Sequence, residues 1–357
     1  MLLMLAVSVS AAEPRAVRDP IALAREGAAA IEARRFGEAL EAFTEAAAMR
    51  PGDASLCFGA GIAAFMLGQN DVAQRRFECA LALRPGYLPP ALWLGELHYR
   101  AGRLGAAIAV YETAQERSPK ARELQQRLAD WRKEQELESR FHEARTAHFT
   151  ARFEGTADEP LARQVVERLE AAYWRVGGTL GVYPPKPIAV VLYTRAQFGD
   201  ITKLAAWSVA AYDGRIRVPI DAALEQPEEL DRVLSHELVH AVIATLGGRT
   251  VPAWLNEGLA TVLESSGPQD ADARPPDAHA RPELSTLHRG FAGLSTRDAV
   301  IAYASAAHAV RLLIEHCGAP ALVGLLEDLA QGQPFADAFH QRMGMRYESF
   351  SALAARD

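Results

Sequence analysis

Glu228-Glu-Leu-Asp-Arg-Val-Leu-Ser-His-Glu-Leu-Val-His-Ala-Val-Ile-Ala-Thr-Leu-Gly247 and, after a four-residue gap, Pro252-Ala-Trp-Leu-Asn-Glu-Gly-Leu-Ala260 are the segments on which the reading turns. The first has a helical period, acidic residues at the end where the helix dipole favours them, and Gly247-Gly248 as its stop. Within it, His236 and His240 stand four residues apart, one turn above each other on one face, so two imidazoles can bind a single ion. Glu237 can then reach a water at that ion without being a ligand. An HExxH run also arises by accident, so the second segment decides. Pro252 suits the first turn of a new helix. Glu257 on that helix supplies a third ligand, and a set of two histidines and one glutamate leaves a zinc position open for water.

The pair HELVH and WLNEGLA resembles the gluzincin superfamily, especially the peptidase MA-like domains found in bacterial proteins with tetratricopeptide repeats. The resemblance extends from His148 to the C-terminus and includes two closing helices, Tyr303–Gly318 and Phe335–Gly344. It implies a zincin-like α+β domain with one Zn2+ per chain, held by His236, His240 and Glu257, and Glu237 as general base. Tyr303 has two readings. Relatives often place an oxyanion-steadying group there, but a tyrosine simply packed at a helix start is the reading that position favours. Two departures matter. The acidic residue that thermolysin-like relatives carry four positions after the glutamate ligand is Thr261, so a partner for one histidine has to come from elsewhere. The Gly-x-Met-Glu-Asn signature of gluzincin aminopeptidases is missing, which favours cleavage within a chain.

Ahead of this domain, Pro51, Pro85 and Pro119 stand 34 residues apart. Gly27, Gly61 and Gly95 keep that register, as do Ala39, Ala73 and Ala107, then Phe43, Phe77 and Tyr111, then Ala46, Ala80 and Ala114. Small residues let two antiparallel helices approach, the aromatic fills the gap, and proline closes the second helix. Residues 20 to 119 thus resemble three tetratricopeptide repeats, with the polar stretch Ala121–Ala144 as their cap. The division expected is a leader over 1–19, an all-α repeat module over 20–145 that folds by itself, and a peptidase domain over 146–357. Repeat register puts Phe58, Ile62, Phe65, Leu92 and Tyr99 on the concave face. That apolar face is either a groove for a protein partner or the seat of the peptidase domain.

In the rear domain, alternation in Ala147–Phe153, a helical period over Leu161–Gly177 and the apolar run Ile188–Tyr193 read as strand, helix, strand. Gly214–Ile220 reads as a further strand, and Pro219 makes it an edge strand, since proline has no N–H for a second neighbour. Residues 265–289 read as a surface loop, either a lid or an insertion without function, in which His279 and His288 face solvent. His308 and His316 have weaker claims to the site.

With 357 residues the chain has room for two domains. It is 49% hydrophobic and 23% charged, and no stretch reaches a membrane-spanning length. A net charge of −7 without a dense Lys/Arg cluster argues against nucleic acid. The opening MLLMLAVSVSAAEPRA ends in small residues that suit signal-peptidase cleavage, which predicts export to the periplasm or beyond; its missing positive start leaves a frayed apolar terminus as the alternative. Cys57, Cys79 and Cys317 are too few for a disulfide framework and are expected as small core residues. The sequence therefore predicts a zinc metallopeptidase acting on a peptide or protein substrate, an endopeptidase with repeats that dock substrate or partner. The rival reading is a repeat-based assembly protein with a structural or idle zinc domain.

Overall fold

Small residues at the 34-residue interval bring helices together in pairs, and the pairs stack. In the computed structural model, which describes residues 19–155, 158–202, 211–219, 227–264, 282–291 and 293–356, these are α1 (Pro20–Glu32) with α2 (Phe36–Met49), α3 (Ala54–Met66) with α4 (Asn70–Leu83), and α5 (Leu88–Arg100) with α6 (Leu104–Arg117). The leader and most of the 265–289 loop, His279 included, lie outside the described residues. The aligned columns meet in space. A Cβ on Gly27 would stand 2.8 Å from the Phe43 ring, one on Gly61 2.5 Å from Phe77, and Gly95 faces Tyr111 in the same way. Cys57 and Cys79 correct the expectation of unpaired core cysteines. They form a disulfide joining α3 to α4, and Cys317 is free.

The cap helix α7 (Arg122–Glu138) is shorter than the sequence suggests, because Phe141–Arg145 leaves the helix as strand β1. Its polar residues hide the strand, which is mostly exposed at a sheet edge. The sheet continues with β2 (Phe149–Glu154), β3 (Ile188–Tyr193), β4 (Ala211–Tyr212) and β5 (Ile216–Pro219) in the order β1-β2-β3-β5-β4. The crossover helix α8 (Glu159–Leu180) makes β2 and β3 parallel, with Thr150 opposite Ala189. α9 (Arg195–Thr202) follows β3. β5 is parallel to β3 and antiparallel to β4, so β4 and not β5 is the outer strand. Its two residues reach only as far as Ile216 and Arg217, leaving Pro219 without a described outer neighbour.

The long helices α10 (Pro227–Leu246), α11 (Ala253–Leu263) and α12 (Thr296–Cys317) share one core with the sheet and α8, closed by α13 (Ala319–Ala330), α14 (Phe335–Met343) and α15 (Tyr347–Arg356). No single helix among the described residues is long and apolar enough to cross a membrane.

The repeats and the rear domain are not separate bodies on a tether. Arg217 of β5 and Arg215 just before it are buried against α5 and α7. Arg215 meets Glu134 at 2.6 Å and Glu138 at 3.1 Å. Arg217 meets Glu134 at 2.9 Å and donates to the hydroxyls of Tyr193 and Tyr99 at 2.6 and 2.8 Å. The side of the strand that carries Arg215 and Arg217 is thus the face that grips the repeats. Tyr99 belongs to this contact, and the Arg249 guanidinium lies 3.8 Å over the Phe65 ring. Phe65 and Tyr99 therefore line no open groove. Phe58 packs on Phe77 and Tyr87, with Ile62 and Leu92 half-buried in the same stack. The rear domain covers the concave face at Phe65 and Tyr99.

Candidate metal centre

Leu234, Leu238, Val239 and Val242 bury one side of α10 in the core. The opposite side turns His236 and His240 towards α11, their rings 4.8 Å apart. α11 begins after Pro252 and is pressed on α12 at Gly258, where a Cβ would fall 2.5 Å from the Ala306 carbonyl oxygen. That close approach brings Tyr303 of α12 beside Glu257 of α11, near enough for each to shift the other's proton affinity. The structure thus gathers all five residues singled out in the sequence: His236, Glu237, His240, Glu257 and Tyr303.

One carboxylate oxygen of Glu257 stands 3.6 Å from Nε2 of His236 and 3.7 Å from Nε2 of His240. Three donors about 2.1 Å from a tetrahedral ion are ~3.4 Å apart, so this spacing fits one small ion held by two nitrogens and an oxygen. Among the described residues this is the one His/Cys/Asp/Glu group with such spacing.

The remaining imidazole nitrogens are also held. Nδ1 of His236 lies 2.8 Å from Oε2 of Glu264, and Nδ1 of His240 lies 3.2 Å from Oδ1 of Asn256. With Nδ1 of each ring engaged by an oxygen on its far side, Nε2 is the nitrogen that faces Glu257. Glu264 is the partner that the sequence reading lacked. It sits two turns beyond Glu257, not one, where α11 is already ending, which is why the Thr261 position gave no sign of it. Arg232 anchors it at 2.9 Å, and Arg175 fixes the same corner by donating to the Leu263 carbonyl and the Ser235 hydroxyl at 2.7 Å each.

The field at the site is strongly negative. Burial pulls the His236 imidazole down, but its hydrogen bonds to Glu257 and Glu264 outweigh this and lift it to about 9. Burial pushes the Glu257 carboxyl up, and the neighbouring histidines and Tyr303 outweigh it and hold Glu257 below the usual range. Burial lifts the Glu237 carboxyl to about 7, with Glu257 adding to the shift and His236 opposing it. Burial and the charges of Glu257 and Glu237 raise the Tyr303 phenol, so it stays a neutral donor. His288 is not solvated as expected: its Nε2 lies 2.7 Å from the Tyr347 hydroxyl, and Phe335 packs edge-on against it. His316 is exposed and bonds its own helix, and neither it nor His308 joins the ligand group.

Such a pair of helices, facing histidines towards a glutamate inside an α+β domain, is a group that could hold a metal ion. Residues 170–353 match the Peptidase MA superfamily, and residues 24–73 and 58–122 match the tetratricopeptide repeat. The chain belongs to the Peptidase MA superfamily, with tetratricopeptide repeats in front of its peptidase domain. Comparison with curated proteins finds no match.

Proposed function

We propose that the protein is a zinc-dependent peptidase that cleaves within peptide chains, with His236, His240 and Glu257 holding the ion and Glu237 as the general base. The observation that carries this reading is the convergence of both Nε2 atoms on one Glu257 oxygen, beside a buried carboxyl lifted to about 7. When bound, the zinc would supply Lewis-acid polarisation of the peptide carbonyl and lower the pKa of its water. Glu237 accepts a proton from the attacking water and returns it to the leaving amine. Tyr303, a neutral donor next to Glu257, is placed to steady the carbonyl oxygen as charge grows on it. Glu264 and Asn256 fix the two imidazoles.

The repeats hold the β4–β5 side of the cleft through Arg215 and Arg217. Their exposed surface is where a protein partner would dock. A disulfide between Cys57 and Cys79 suits an oxidising compartment, which agrees with export of the chain through its apolar start.

The test is Glu237→Gln. It should keep metal and fold while losing peptide hydrolysis at least about 100-fold, since the residue acts on water. Equal turnover of a cleavable peptide by the variant would overturn the mechanism. Cleavage by neither protein across a broad peptide library would favour the assembly reading.

A further inference from the structure

The turns inside the three helix pairs recur at Arg34, Gly68 and Gly102, and all three are left-handed, with φ of 58°, 74° and 71°. Glycine adopts that conformation freely, and a residue with a Cβ resists it. Arg34 is the one non-glycine residue with positive φ among those described. The same three turns point at the peptidase domain. Gly68 lies backbone to backbone against Gly248, and a Cβ on it would stand 2.9 Å from the Gly248 Cα. Gly102 lies against the Arg215 side chain, 3.7 Å by the same measure.

At the first turn the backbone contact falls instead at Gly37, where a Cβ would stand 3.0 Å from the Gly332 carbonyl oxygen, and beside it a cavity of 680 Å³ opens between the repeats and the peptidase domain. Arg34 lines one wall and Arg289 the other. Among the described residues neither arginine makes an ion pair, and no carboxylate lines the cavity. The nearby Glu283 accepts a hydrogen bond from Ser285 at 3.3 Å. The Arg34 charge is felt inside, for burial and then Arg34 hold the His288 imidazole below its usual value. Both guanidinium groups are exposed at the cavity, Arg34 lying 5.8 Å over the Phe36 ring, so a solute entering from solvent meets two cations. Phe36, Leu67 and Phe335 give the cavity apolar walls, and its volume is that of a small-molecule site.

We propose that this interdomain cavity binds a small organic anion, its carboxylate or phosphate held between Arg34 and Arg289 and its non-polar body against Phe335 and Leu67. The guanidinium fork matches both oxyanions. Holding an arginine in the left-handed turn, where the other two repeats use glycine, is the local strain such a site accounts for. The bound anion lies beside Pro252 and His288, whose carbonyl accepts the Ala253 N–H at 3.1 Å at the start of the helix carrying Glu257.

The experiment titrates the full-length protein with phenyl phosphate, benzoate and, as the neutral control, phenol, by calorimetry at matched ionic strength. At least one of the two anions should bind saturably and phenol should not; which anion binds identifies the source of the oxyanion. Arg34→Gly installs the residue found at the other two turns, so the fold is preserved. It should weaken binding at least about tenfold, as should Arg289→Gln, each removing a charge-assisted hydrogen bond. Saturable binding of neither anion, equal affinity in both variants, or phenol binding as tightly as the anions would overturn the site.

Discussion

Oε2 of Glu264 lies 2.8 Å from Nδ1 of His236, on the side of the ring away from Glu257. Arg232 holds the other oxygen of the same carboxylate at 2.9 Å. A carboxylate behind an imidazole fixes its tautomer and strengthens the opposite nitrogen as a ligand. Glu264→Ala should therefore lower zinc affinity about 10- to 100-fold with the fold intact. Competition with a zinc chelator measures this, and an unchanged affinity would remove Glu264 from the site.

The ligands themselves are tested by metal content. Purified protein should contain about one zinc per chain, from a single complete ligand set. His236→Ala and Glu257→Ala should each empty it. Full zinc in either variant, measured by mass spectrometry of the metal, would show that the ion sits elsewhere.

Glu134 makes the domain contact sensitive to acid. Burial favours its protonated form, but Arg217 and Arg215 outweigh this and hold its pKa below the ordinary 4.5. The stability that this gives is fully present above pH 4.5. It is lost as the pH falls through the lower folded-state value, because the unfolded chain takes up the proton first. Urea midpoints should fall below about pH 4.5 in the native chain. Glu134→Gln should cost about 3–5 kcal/mol at neutral pH, by leaving two buried cations short of a partner, and should flatten the acid slope. A variant as stable as the native chain at every pH would show that the contact contributes nothing.

Cleavage inside a chain is expected to depend on backbone pairing at the outer strand. β4 packs against α10, and among the described residues it is the outer strand of the sheet on that side. An extended substrate added there would be held by main-chain hydrogen bonds, with its termini ungripped. Acetylating the N-terminus of a good peptide substrate should barely change its cleavage, and N-methylating one amide near the scissile bond should weaken it sharply. Loss of cleavage on acetylation alone would identify an enzyme that grips a chain end.

Much of this architecture was legible because it depends on spacing. A 34-residue interval fixes which glycine meets which aromatic ring, and a four-residue interval puts His236 over His240 whatever surrounds them. What stayed hidden depends on contacts between distant segments. Arg215 and Arg217 alternate with apolar residues, and only the position of Glu134 and Tyr99 shows that their face is buried. β1 looked helical because its exposed Phe141-His-Glu-Ala-Arg145 continues the polar pattern of α7. Glu264 lay beyond the register at which a histidine partner is normally sought. The Cys57–Cys79 pair needed two helices brought side by side before it had any meaning.

The touching backbones of Gly68 and Gly248 bear on how interchangeable the parts of this protein are. Repeat arrays are usually regarded as cassettes that can be lengthened, shortened or transplanted between hosts. Here a single methyl group at either glycine would wedge the seam open, and one residue added to that turn would shift Arg34 and Gly102 out of line with their counterparts. A fragment cut at residue 145 would carry Glu134 and Glu138 into water without their arginines and leave β1 without its sheet. Exchanging the array for one from another protein would need its turns, spacing and acidic pair to be reproduced together, so the front third is better treated as a fixed wall of the peptidase than as an attachment.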